Sequence, residues 1–167
     1  SDVLVGIIDS GIDCTHPDLA SKIETEYCMS FDDGLPYEES FPYDVTGHGT
    51  HVAGIIGAVS NNNMGITGSN WNVGLVSLRV VNDEGESNTS NIVSAINYAQ
   101  QEGIKILNLS MGFESQGNGP TNLFNMIDSY SGLIVCAAGN DGNDNDGTTK
   151  VYPASYDLDN VLSVGAI

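Results

Sequence analysis

Three short polar segments stand at the ends of apolar runs, and each carries residue types that can do chemistry in the right company. In Ile7-Ile8-Asp9-Ser10-Gly11 a carboxylate ends an apolar stretch. Burial there is costly unless the carboxylate meets a hydrogen-bonded or charged partner. A histidine is the obvious partner, and Gly47-His48-Gly49-Thr50-His51-Val52-Ala53-Gly54 places one at the glycine-rich entry of an apolar helical pattern. Small neighbours there leave room for a substrate backbone. A carboxylate that fixes the tautomer and orientation of an imidazole makes it a competent general base. The third segment, Ala137-Ala138-Gly139-Asn140-Asp141, offers an amide donor suited to a developing oxyanion.

Each segment alone is weakly informative. A strand-end Asp serves as a metal or nucleotide ligand, or as a helix cap, more often than as a catalytic orienter. His48 and His51 have H-x-x-H spacing, but no H-E-x-x-H pattern is present and zinc is not expected. His16 reads as a structural turn residue. The chain contains neither a G-x-G-x-x-G fingerprint nor a Walker loop, which sets aside a nucleotide-binding domain.

The elements that must hold these segments are legible as patterns. β-branched runs at Val3 to Ile8, Leu75 to Val81, Ile104 to Leu109, Leu133 to Ala138 and Val161 to Val164 predict buried strands. Helical spacing appears at Val52, Ile55, Ile56 and Val59, at Ile92, Val93, Ile96 and Ala99, and at Leu123, Phe124 and Ile127. Asn88 or Ser90 is placed to cap the second helix, and Pro120 lies near the start of the third. Strands alternating with helices require crossover connections. The expected fold is therefore α/β, a three-layer arrangement of a mainly parallel sheet with helices on both faces. In such sheets function collects at the carboxyl ends of strands, and Asp9-Ser10-Gly11, Ser110-Met111-Gly112 and Gly139-Asn140-Asp141 each follow one of the predicted strands. The stretches Asp32 to Asp44 and Asn140 to Thr149 read as surface loops, and no repeat, linker or second domain is apparent.

Four Lys and Arg against 22 Asp and Glu leave a net charge of −18, which argues against nucleic acid and anionic membranes as partners. No apolar run approaches the roughly 20 residues of a spanning helix, so membrane insertion is not expected. Cys14, Cys28 and Cys136 are three in number, so one thiol at least has no partner within the chain. Cys136 reads as a small buried hydrophobe; a bridge between Cys14 and Cys28 stays open.

Taken in order, the Asp, His and Asn segments resemble the subtilisin-like (subtilase) family of serine proteases. His16-Pro17-Asp18-Leu19, Leu107-Asn108-Leu109-Ser110-Met111-Gly112 and Tyr152-Pro153-Ala154 extend the resemblance along the chain. It implies that Asp9 orients His48, that His48 is general base, and that Asn140 donates to the tetrahedral oxyanion. It further implies that Ser110, Met111 and Gly112 pair with substrate backbone and form one wall of the specificity pocket. Ala137, Ala138 and Gly139 would form the other, and Gly85 and Glu86 lie on a second substrate-pairing edge. Glu84 and Glu86 there would favour basic side chains. Polypeptides are the implied substrates, an inhibitory propeptide is an implied partner, and the implied location is secreted or cell-surface.

The segment Ser60-Asn61-Asn62-Asn63-Met64-Gly65-Ile66 is similar to the loop by which many subtilases bind calcium. Asp18 aligns with the distant Asp of that site, and Ser60, Asn62, Met64 and Ile66 with its loop ligands. The family's nucleophile lies in a Gly-Thr-Ser segment, and nothing here matches it. Residues 1–167 thus read as a partial catalytic domain lacking the C-terminal segment with the nucleophilic Ser, inactive alone unless that segment or a separate chain supplies it. The rival reading is a non-catalytic subtilase-like binding or scaffold module. Its signature would be substitution at the Asp, His or Asn positions, and all three are intact.

Overall fold

The computed structural model describes residues 3–32, 44–142 and 144–166. The expected acidic loop from Asp32 to Asp44 falls outside them except at its two ends, and Asn143 of the second expected loop also lies outside. Six strands run parallel: β1 (Leu4–Asp9), β2 (Met29–Ser30), β3 (Gly74–Arg79), β4 (Ile106–Leu109), β6 (Leu133–Ala137) and β8 (Val161–Val164), in the order β2-β3-β1-β4-β6-β8. A separate antiparallel ribbon pairs β5 (Phe113–Ser115) with β7 (Lys150–Tyr152). Among the described residues the α-helices are α1 (His48–Gly57), α2 (Thr89–Gln101) and α3 (Thr121–Asp128). None of the helices among the described residues is long and apolar enough to cross a membrane.

Consecutive residues Leu75, Val76, Ser77 and Leu78 are all fully buried, which a strand achieves only when both faces of its sheet are covered. The three-layer expectation is met. α1 covers the face that carries Asp9: a Cβ on Gly57 would meet Val73 and Leu75, and one on Gly49 would meet Asp9. α2 and α3 pack against each other. Asn88 caps α2 by accepting the Asn91 N–H at 2.9 Å, and Pro120 sits immediately before α3. The Asn160 amide donates to the Ile127 and Tyr130 carbonyls, tying off the end of α3.

Two features depart from the sequence reading, the inner face of α1 and an added ribbon. α1 begins at His48 itself and buries Gly49, Ala53, Gly54 and Gly57, whereas Ile55 is exposed. A helix seated this close to a sheet needs small residues on its inner face; Val52 and Ile56 of the apolar pattern still pack against the core from its flank. β8 forms where the apolar run Val161 to Val164 predicts a strand, pairing with β6 along Ile134–Ala137. The ribbon of β5 and β7 was not anticipated, because three-residue strands so far apart in sequence leave no local period.

Candidate active site

The strand order reverses at β1, with β3 on one side and β4 on the other. Ligands in open α/β sheets bind at the carboxyl ends of strands beside such a switch point. Asp9 is the last residue of β1 and is 1% exposed. His48 opens α1 above it, and its Nδ1 lies 2.7 Å from Asp9 Oδ1. The Ser10 N–H also donates to Asp9 Oδ1, at 2.7 Å. Among the described residues Asp9 Oδ2 is buried with no partner. With its Nδ1–H held by a carboxylate, the imidazole presents Nε2 as the proton acceptor, and the His48 side chain is 55% exposed.

Local backbone chemistry makes this meeting possible. Gly47 takes a left-handed conformation at φ 79° and supplies no side-chain cap to α1. The first-turn donors are satisfied from elsewhere: the Gly49 N–H by Ser10 Oγ at 3.0 Å, and the Thr50 N–H by Asp44 Oδ2 at 2.8 Å. Sequence reading missed Ser10 and Asp44 in this capacity.

The structure carries the other predicted residues to the same edge. Register pairs Ile7 with Asn108 and Asn108 with Val135, so Ser110 and Ala137 lie level with Asp9. Asn140 follows β6, two strands from β1 and hence about 10 Å across the sheet at standard strand spacing. It is exposed, and no hydrogen bond ties its amide among the described residues. The Ser110 hydroxyl accepts from the Asn108 amide at 2.8 Å.

Gly85, Met111 and Gly112 share a cleft of about 450 Å³ with Phe113 and Tyr152. Glu86 is exposed beside it, in a hairpin whose ends bridge at Val81 and Ser87. Ala138 and Gly139 line a second pocket of about 210 Å³ with Asn145 and Val151. A Cβ on Gly112 would stand 2.8 Å from one Val151 methyl, and one on Gly139 2.9 Å from the other. Val151 therefore wedges the two walls apart and requires glycine on both. Asn145 ties the second wall down, donating to the Ala138 carbonyl at 2.8 Å and accepting the Val151 N–H at 3.3 Å. Neither residue carries a sequence signal: Asn145 sits in an Asn/Asp/Gly-rich loop, and Val151 looks like any strand residue.

Asp18 and the 60–66 loop do come together. Asp18 is 2% exposed, its Oδ1 accepts the Asn62 amide at 2.6 Å and its Oδ2 accepts the Ile66 N–H at 3.1 Å. A Cβ on Gly65 would overlap the Asp18 carboxylate. These hydrogen bonds, with a smaller contribution from His16, hold Asp18 below the usual carboxylate range. Ser60 Oγ is buried without a partner among the described residues, and Met64 is half exposed. The donor set fits a hard cation only after the Asn62 amide turns over to bring its oxygen beside Asp18. No group of three or more acidic, His or Cys side chains gathers among the described residues, so one carboxylate would carry the charge. None of the three cysteines is in a disulfide, and burial pushes the Cys28 and Cys136 thiols up to about 12.

Comparison with known proteins gives a consistent picture. A family model described as the subtilase family matches residues 1–167. Subtilisin DY of Bacillus licheniformis is 41% identical over 170 residues, covering 100% of this chain and 57% of that protein. A thermophilic serine proteinase of Bacillus sp. (strain AK1) is 37% identical, covering 98% of this chain and 38% of the relative. Thermitase of Thermoactinomyces vulgaris is 34% identical, covering 91% and 51%. The chain thus spans about half the length of the curated relatives it matches. The crystal structure of an epidermin leader peptide processing serine protease from Staphylococcus aureus superposes with a TM-score of 0.75 at 24% identity, over 98% of this chain and 46% of that one, and so shares the fold.

Proposed function

This chain belongs to the subtilase family, and from that premise we propose that the protein carrying it is a serine endopeptidase, with residues 1–167 forming part of its catalytic domain. The observation that carries the reading is the 2.7 Å contact between Asp9 Oδ1 and His48 Nδ1 at the carboxyl end of β1. Asp9 orients the imidazole and stabilises its charged form, while Nε2 takes the proton of a serine supplied from outside residues 1–167. Asn140, at the same edge, donates to the oxyanion as it develops. Substrate polypeptide, or a propeptide before maturation, lies between the Gly85–Glu86 edge and Ser110-Met111-Gly112, and its primary side chain enters toward Ala137-Ala138-Gly139.

Calcium, where bound, would be held by Asp18, the Asn62 side chain and the backbone carbonyls of Ser60, Met64 and Ile66. It would cross-link the 60–66 loop to the turn after β1. A net charge of −18 suits a secreted or cell-surface protein kept soluble by its own field.

Hydrolysis of an unstructured polypeptide by the parent protein tests the reading. Asp9→Asn is expected to lower kcat by about 10⁴ and His48→Ala by about 10⁶, with KM little changed in both. Residues 1–167 alone are expected to show no turnover. A parent protein that binds polypeptides but cleaves none, with Asp9 and His48 intact, would instead mark a binding module.

A further inference from the structure

We propose that Asp44 is a positioning residue for the Asp9–His48 pair and acts through the Ser10 hydroxyl; the functional consequence rests on the endopeptidase reading. The Asp44 carboxylate is a hub. Its Oδ1 accepts from the Ser10 hydroxyl at 2.8 Å, the Thr46 hydroxyl at 3.2 Å and the Gly47 N–H at 2.9 Å. Its Oδ2 accepts from the Thr50 N–H at 2.8 Å and the Thr50 hydroxyl at 2.6 Å. Thr50 Oγ1 in turn accepts the Asp13 N–H at 2.9 Å, linking the hub to the turn after β1. Burial works to raise the Asp44 pKa, but the hydrogen bonds from Thr50, Ser10 and Gly47 outweigh it and hold the group below the usual carboxylate range. Asp44 is thus ionised at neutral pH, and hydrogen bonds to an ionised acceptor are the strong ones.

Ser10 is where this hub reaches the catalytic pair. Its hydroxyl has one proton and two carboxylates within reach, Asp44 Oδ1 at 2.8 Å and Asp9 Oδ1 at 3.2 Å. The shorter contact assigns the proton to Asp44. Asp9 Oδ1 then serves two donors, His48 Nδ1 and the Ser10 N–H. Without Asp44 the hydroxyl proton turns to Asp9 Oδ1 and becomes a third donor on the atom that orients His48. Ser10 Oγ also accepts the Gly49 N–H at 3.0 Å, so the same hydroxyl fixes the helix turn from which His48 projects. Asp44 therefore keeps the Asp9 charge directed at the imidazole.

The test follows the His48 Nδ1–H proton by NMR in the whole protein, in wild type, Asp44→Asn, Ser10→Ala and the double variant. Asp44→Asn is expected to move that resonance upfield and to lower kcat roughly tenfold with KM within about twofold. In the Ser10→Ala background the same change is expected to leave the resonance in place. A lowered melting temperature with an unmoved resonance would make Asp44 a helix cap only. Equal shifts in both backgrounds would mean that its charge acts through space rather than through Ser10; either result overturns the proposal. Neutron diffraction of the unmodified protein gives a measurement that needs no variant to fold: a Ser10 hydroxyl deuteron pointing to Asp44 supports the proposal, and one pointing to Asp9 overturns it. Neither readout depends on turnover, so a failure of the endopeptidase reading is separately visible.

Discussion

Gly49 lies directly against Asp9: a Cβ at position 49 would stand 3.1 Å from the Asp9 Cβ and would overlap the Gly11 carbonyl. The backbone on the far side cannot yield as a flexible side chain would. Gly49→Ala is expected to cost about 3 kcal/mol, the upper part of the range for overpacking a tight contact. Chemical denaturation should show a lower midpoint with an unchanged m value. The His48–Asp9 contact should be lost with it, because α1 must lift from β1 to make room.

Asn145 is the only side chain seen to join the Ala138 carbonyl to the Val151 N–H among the described residues. Asn145→Ala leaves both groups without that partner, at a cost of about 1 kcal/mol. On the proposed placement of substrate along the Ala138–Gly139 wall, and with the Asp9–His48 pair untouched, KM of the parent protein should rise a few-fold with kcat nearly constant. A fall in kcat alone would contradict this placement.

Around Asp18 the expected result is a calcium-dependent rise in melting temperature that needs millimolar calcium, because a single carboxylate makes a weak site. Asn62→Asp adds a second carboxylate. It should lower stability in the presence of chelator, through repulsion with Asp18, and tighten calcium binding. Calorimetry of both forms checks this, and absence of heat in both would leave the Asn62 and Ile66 hydrogen bonds as the sole function of the loop.

Acid should destabilise the fold through Asp18 and Asp44. Both are held below the unfolded carboxylate value of about 3.9. Their contributions are complete above that value and are lost as pH falls through the lower folded values. Melting temperature measured from about pH 6 down to about pH 2 should therefore fall through this window. Asn62→Ala removes the largest support of the Asp18 shift, and its melting curve should flatten in the same window.

Glu86 is exposed on the hairpin edge beside the cleft, and the Glu84 carboxylate is held by the Asn82 amide at 3.1 Å. Peptides with Lys in place of Leu facing this edge should gain about 1 kcal/mol in kcat/KM at low salt, the scale of an exposed ion pair. The preference should fade at high salt. Equal values for the two peptides at low salt would remove Glu86 from specificity.

The chemistry of the site and its place in the fold were written in local sequence. Asp9 after Ile7-Ile8, His48 among glycines and Asn140 after Ala137-Ala138-Gly139 each follow or precede a run whose period predicts its element, so the carboxyl edge of a parallel sheet could be named before any coordinates. What only the tertiary structure decided are relations with no local period. α1 turns glycines to the sheet because backbone approach, not apolar area, sets that face. Val151 wedges Gly112 from Gly139, and Asp44 reaches Asp9 only through Ser10, because hydrogen bonds and van der Waals contacts join residues by distance in space. Sequence spacing records that distance only within a single helix or strand.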